Sequence, residues 1–315
     1  MPYRVFIDGA GRTGRTGRTR GKTTLFTNMS NGILTLNLPL DSVRQVALGA
    51  QDSAAEGFLR TLAEVLQLET SVKSADQCRA ILAGEPFAGK TSVKYRKMVR
   101  ENDRLHVFPA AGDYPQREKE SMQLRALLCG GVTLEMLKNP GSFALMHGTL
   151  LEDPALGGIV LFGVSGIGKS TTRRRFIAEG GVAIADDALL LFAENGGVFA
   201  RRLPTWSDWF ANGSASRRYP VNEAIKVKTM LCLGRGKDIQ EIVAITPAAF
   251  HGQLLGAMLL HCQSALRLLR RDEQQVLVSS CWNFVRQLDG FFPHRALLAH
   301  LDYPLRELLA KEGTE

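Results

Sequence analysis

The sequence predicts an α/β domain of the phosphate-loop type over residues 142–315, preceded by a smaller α+β domain over 29–141, and three observations carry that prediction. A glycine-rich loop, Gly163-Val164-Ser165-Gly166-Ile167-Gly168-Lys169-Ser170, stands between an apolar run and a helix-forming stretch. An acidic pair, Asp186-Asp187, ends a second apolar run, 17 and 18 residues after Lys169. Alternation at Leu34, Leu36, Leu38 and Leu40, followed by a capped amphipathic stretch after Ser53, marks the earlier domain.

Residues 1–28 stand apart. Tyr3 to Ile7 has strand character, and Gly9, Gly11 and Gly14 have the spacing of a dinucleotide fingerprint. That fingerprint needs a helix with an apolar face behind it, yet no apolar residue occurs from Arg12 to Thr24. Gly-Arg-Thr repeats three times there, so the segment reads as a disordered Gly/Arg-rich extension. Met29 opens an ordinary sequence, as an alternative start would.

In 29–141, the Leu34 to Leu40 strand leads to a helix presenting Phe58, Leu59, Leu62, Val65 and Leu66 on one face. Ser74-Ala75-Asp76-Gln77 reads as a capping box, making Cys78 to Ala83 the end of a helix. Gly84-Glu85-Pro86-Phe87-Ala88-Gly89-Lys90-Thr91 also satisfies the phosphate-loop pattern. Fed by a helix rather than a buried strand, it reads as an ordinary loop. Arg104 to Phe108 reads as a strand, and a helix carrying Leu124, Leu127 and Leu128 is expected to stop at Gly130-Gly131. Asn139-Pro140-Gly141 marks the boundary.

The second domain opens with a strand over Phe143 to His147, expected to pair with the buried parallel strand Gly158 to Phe162. Ser170 to Glu179 forms a helix stopped by Gly180-Gly181, and Val182 to Ala185 is again a strand. Strand, loop, helix and strand make a crossover unit, which brings the loop and the acidic pair out at one sheet edge. Ala188 to Phe192 and Val198 to Arg202 flank a hairpin turn at Glu194-Asn195-Gly196-Gly197. Strands at Thr229 to Leu233 and Glu241 to Ile245 precede three helices, over Pro247 to Cys262, Gln274 to Leu288 and Ala296 to Lys311.

Composition narrows the classes. With 45% apolar and 22% charged residues the chain has the balance of a soluble, cytoplasmic globular protein. No uncharged apolar segment approaches the ~18–20 residues of a membrane span. Neither a membrane partner nor a signal peptide is expected. Five scattered cysteines, never spaced C-x-x-C, read as reduced thiols, and no zinc site is expected from any ligand spacing. The first 28 residues, with six basic side chains against Asp8, carry +5 of the net charge of +8. A nucleic-acid partner is therefore not expected, and a nucleic-acid-dependent ATPase would rest on that tail alone.

The loop residues specify a chemistry. Glycines let backbone N–H groups curl around phosphate oxygens, Lys169 can reach the β/γ-phosphates, and the Ser170 hydroxyl can ligate Mg²⁺. The nucleotide-binding segment runs from Gly163 through Val164, Ser165, Gly166, Ile167, Gly168, Lys169 and Ser170 to Thr171. Two adjacent carboxylates repel each other unless a cation lies between them or one is protonated. A Mg²⁺ carried in with ATP, or another nucleoside triphosphate, supplies that cation, so one Asp supports the metal while the other accepts a proton from a hydroxyl. His147-Gly148, 22 residues before Lys169, and Arg217-Arg218, a candidate for phosphate contacts, are the further polar features.

These residues together resemble the C-terminal domain of the HPr serine kinase/phosphorylase family. The shared pattern is His147-Gly148 on one strand, the apolar run from Ile159 into Gly163 to Ser170, and Ala185-Asp186-Asp187. The resemblance covers roughly residues 142–195. It implies a phosphate-loop kinase fold related to phosphoenolpyruvate carboxykinase, with Asp186 as base, His147 as active-site support, and Ser170 with Asp187 at the metal; it is compatible with a homo-oligomer. The family's glutamate-containing Ile-Arg-Gly-Leu-Gly segment has no counterpart, since Pro204-Thr205-Trp206-Ser207-Asp208-Trp209 occupies that stretch. Reversible phosphorylase activity and HPr as substrate are therefore not carried over. Leu203 to Asp208 and Val221-Asn222-Glu223-Ala224 make the chain more similar to the HPr-kinase-related proteins of the SynChlorMet cassette group, found beside radical SAM enzymes in peptide-modification gene clusters. The function implied is transfer of a γ-phosphoryl group from Mg-ATP to a hydroxyl of a protein, peptide or small molecule. A non-catalytic nucleotide-binding assembly protein of such a pathway is the second reading.

Overall fold

A computed structural model describes residues 32–84, 97–109, 115–204, 218–236, 241–299 and 304–312. Asn31–Glu315 forms one compact unit. The first sheet has β1 (Ile33–Pro39), β2 (Gln45–Ala50), β3 (Thr70–Lys73), β4 (Ala80–Leu82), β5 (Lys97–Glu101) and β6 (Arg104–Phe108), in the order β3-β1-β2-β4-β6-β5. Helix α1 (Ser53–Leu66) packs on β1 and β2 through Leu59, Leu62, Val65 and Leu66, all buried. Its N-cap is Asp52 rather than Ser53, with the carboxylate accepting from the Ala55 amide at 3.0 Å.

Two expectations fail in this region. Ala80–Leu82 is a buried strand, parallel to β2 and β6, and only Ala75–Gln77 is helical, as a single 3₁₀ turn. A short apolar run buried on both faces carries no alternation, so its period cannot separate strand from helix. Residues 85–96, which include most of the Gly84 to Thr91 pattern, lie outside the described residues. Helix α2 (Gln116–Lys138) does not stop at Gly130-Gly131 but runs through it. A Cβ on Gly130 would lie 2.2 Å from Leu105 Cδ2, and one on Gly131 would lie 2.8 Å from Leu48 Cδ2. The glycines let the helix sit close on the sheet. Through this helix one apolar core runs from the first sheet to the second.

The second sheet holds β7 (Phe143–Met146), β8 (Gly148–Asp153), β9 (Gly157–Phe162), β10 (Val182–Ala185), β11 (Leu189–Glu194), β12 (Gly197–Arg202), β13 (Ala224–Arg235), β14 (Glu241–Ala244) and β15 (Arg295–Ala299). Its path is β10-β8-β9-β13-β12-β11-β7, with β15 joining β13 and β14 joining β15. The β11–β12 turn places Asn195 and Gly196 at φ 49° and 71°, the left-handed pair that a two-residue hairpin requires. Helix α3 (Lys169–Ala178) covers one face with Phe176, while α4 (Pro247–Leu266) and α5 (Arg271–Leu288) pack with α2. The expected helix over Ala296 to Lys311 is two elements, strand β15 and then α6 (Leu305–Glu312). Leu297 is buried against the sheet, and a run of alanines and leucines does not distinguish the two states.

The expected pairing of the His147 strand with Gly158 to Phe162 is also corrected. β7 pairs with β11, and the partners of β9 are β13 and β8, the latter beginning one residue after His147. Strands β7 and β8 thus follow each other in the chain yet stand far apart along the sheet path. The same holds for β10 and β11, separated only by Asp186, Asp187 and Ala188. One antiparallel ribbon therefore breaks and resumes: Leu189 faces Met146 on one side of the break and Ala185 faces Leu150 on the other. Among the described residues, no helix is long and apolar enough to cross a membrane.

Candidate nucleotide-binding rim

The break in the ribbon and the end of β9 lie on one edge. Phe162 pairs with Gly148, so the loop leaves β9 where β8 begins. β10 and β9 are both antiparallel to β8, so they run the same way, and the acidic pair leaves β10 on the loop's side. The two strands are not neighbours, because β8 lies between them. The shared edge thus comes from two antiparallel steps.

In the loop, Gly163, Gly166 and Gly168 take φ of 151°, 77° and 114°, which side chains rarely adopt. A Cβ on Gly166 or Gly168 would meet nothing within 4 Å, so the backbone there faces open space. Gly168 is the N-cap of α3, whose first amide groups and dipole favour an anion. Lys169, 6% exposed, donates through Nζ to the Gly163 carbonyl at 3.0 Å and the Val164 carbonyl at 3.1 Å. Ser170 is exposed and Thr171 half-buried on the first turn; in the loop Ser165 is exposed and Val164 half-buried. From the end of β13, Arg235 donates to the Gly166 carbonyl at 3.0 Å.

Asp186 is 3% exposed. Its Oδ1 accepts from the Thr149 hydroxyl at 2.7 Å and the Asp187 amide at 3.2 Å. Asp187 takes φ 72°, an uncommon conformation for a residue with a side chain. Its carbonyl holds the turn by accepting from His147 Nδ1 at 2.9 Å and from His261 Nε2. The two imidazoles meet edge to face, 5.3 Å between centroids. Two N–H donors on one carbonyl leave the distal nitrogen of each neutral ring with a lone pair.

The charges of these groups influence one another. Burial lowers the Lys169 pKa, opposed by the Asp186 and Asp187 carboxylates. His147 is lowered by burial first and then by the Lys169 charge. His261 is pushed down to about 3, again by burial, with the Asp187 carbonyl opposing. Burial also raises the Cys232 thiol to about 11, so it stays protonated beside Lys169.

The structure therefore brings Lys169, His147, Asp186 and Asp187 together at the loop. Of the Arg pair, Arg217 lies outside the described residues and Arg218 is exposed. Sequence reasoning missed Thr149, Arg235 and His261. Thr149 alone carried a signal, two positions after His147; nothing in the apolar pattern around His261 separates it from a core residue. A Mg-nucleotide fits what is present. The open glycine cradle suits phosphates, the buried ammonium supplies countercharge, and hydroxyl and carboxylate oxygens are the donors Mg²⁺ prefers.

Fold and rim together define a mixed α/β protein with a glycine loop, a buried lysine and an acidic turn at one sheet edge. The chain belongs to the SynChlorMet cassette protein ScmC family, whose model matches residues 116–278. Among solved structures, the Hpr(Ser) kinase/phosphatase from Coxiella burnetii is similar over 32% of this chain and 77% of that one, at 18% identity and a TM-score of 0.23. No curated protein matches.

Proposed function

We propose that this chain is a phosphotransferase that uses a Mg-nucleoside triphosphate, ATP by preference, and a hydroxyl acceptor. The observation that carries the reading is the position of the buried, hydrogen-bonded Asp186 at the same sheet edge as the glycine loop and its buried Lys169. The nucleotide, when bound with Mg²⁺, supplies the γ-phosphoryl group. The loop from Gly163 to Thr171 binds the phosphates, and Lys169 turns from the Gly163 and Val164 carbonyls to neutralise them. Ser170 and Asp187 would hold the metal. Asp186, its carboxylate plane set by Thr149 and the Asp187 amide, takes the acceptor's proton. His147 and His261 position that turn through its carbonyl.

One feature favours a second reading, a nucleotide-gated assembly protein. Lys169 is satisfied by the loop's own carbonyls, so binding alone would change the loop. Incubation with γ-labelled ATP and hydroxyl acceptors, peptides of neighbouring modification genes included, separates the two. Label transfer that Asp186→Asn abolishes while nucleotide binding persists supports the kinase. Binding with neither transfer nor hydrolysis supports assembly.

A further inference from the structure

Besides the groups of the rim, His251, Asp289 and His294 form a second polar cluster, the one three-ligand group among the described residues. Their ligand atoms all lie within 4.8 Å of one another. His251 stands near the start of α4, Asp289 is the C-cap of α5, and His294 immediately precedes β15. Strand β15 is parallel to β13, and β13 to β9, with Ala296 and Phe162 both level with Cys232, so His294 enters the sheet two residues before the level at which the glycine loop leaves β9.

We propose that these three residues bind a divalent first-row transition-metal ion, zinc in type. Both Nε2 atoms converge on the same carboxylate oxygen, with His294 at 2.7 Å and His251 also in hydrogen-bond contact. Two imidazole nitrogens and one carboxylate are a donor set for such ions rather than for Mg²⁺ or Ca²⁺. The imidazole planes are perpendicular, with centroids 5.0 Å apart, so the rings approach from different directions, as a tetrahedral centre needs. Aromatic neighbours hold both rings: Phe250 packs against each, and the Trp282 edge lies against His251. A hydrogen-bonded cluster without metal needs Nε2–H on both rings. Metal binding needs only that these protons leave and that the same three atoms open slightly around the ion. The Asp289 side chain is 41% exposed, which leaves a side open for water as a fourth ligand. Because the ligands come from α4 and from the connection between α5 and β15, the ion would tie the start of α4 to a segment 38 residues further on.

The test uses the full chain, freed of metal by chelation and without nucleotide. Zinc is titrated in competition with a chromogenic chelator, and cobalt is followed by its visible absorption. One equivalent of tight zinc and an intense, tetrahedral-type cobalt band are expected. In His294→Ala and in the near-isosteric Asp289→Asn, that equivalent should weaken on the order of 100-fold, since even outer-shell partners are worth about 10–100-fold. Circular dichroism checks the fold, and Asp289→Asn carries the test if His294→Ala fails to fold. No zinc uptake at micromolar concentration, or uptake unchanged in Asp289→Asn, overturns the proposal.

Discussion

Helix α4 begins and ends beside histidine clusters built in opposite ways. Near its start, His251 faces the carboxylate of Asp289 on a side that water reaches. Ten residues on, about 15 Å along the axis, His261 is 3% exposed and faces a backbone carbonyl. The first setting suits a cation held between the imidazoles and the carboxylate. The second keeps the ring neutral and uses it as a fixed N–H donor. The partner and the solvent, not the residue type, decide what histidine does in this molecule.

The largest effect expected on the dry side comes from Asp186→Asn. Transfer to a hydroxyl acceptor should fall by about 10²–10⁴ with nucleotide affinity retained, and a variant turning over at the wild-type rate removes the base assignment. Thr149→Val is next. Loss of a buried hydrogen bond to a charged group costs about 1.5–3 kcal/mol, measured by denaturant unfolding, and an unchanged midpoint would say that Asp186 does not depend on it.

Protonation sharpens the contrast further. The folded His261 sits at about 3 against an ordinary value of 6.5, so only the unfolded chain takes up a proton as pH falls through 6.5. Stability associated with the neutral ring is complete above that pH and is lost progressively down to about 3. At pH 5 the loss is about 2 kcal/mol. His261→Gln should shrink the drop in unfolding free energy between pH 7 and 5 by that amount, and a slope equal to wild type would contradict the dry setting. His106, lowered by burial to about 4, leaves a residual slope in either protein. Smallest of all is Arg235→Ala. Its contact with the Gly166 carbonyl is exposed, so stability should change by no more than about 0.5 kcal/mol. A loss of several kcal/mol would mean that this arginine shapes the loop.

Much of the rim was legible in the sequence because its chemistry is local. Loop, helix start and acidic pair fall within 25 residues, from Gly163 to Asp187, and glycines at special φ cannot be disguised. The β11–β12 hairpin was readable for the same reason. What failed was long-range or buried on every side. Ala80–Leu82 and Leu297 lie in uniformly apolar runs whose period is silent, and Gly130-Gly131 resembles a helix stop until Leu105 and Leu48 are known to press on it. The pairing of β7 with β11 rather than β9 could not be seen from either strand. Nor could the His251–Asp289–His294 cluster, because its intervals of 38 and 5 residues match no ligand spacing.

Because α4 is anchored at both ends, its length is fixed as well as its sequence. One residue added or removed between His251 and His261 would swing one imidazole about 100° around the axis relative to the other. Substitutions along the solvent side of that interval, such as at Gly252 and Gly256, meet open space. The helix should therefore tolerate variation in composition far more readily than insertion or deletion.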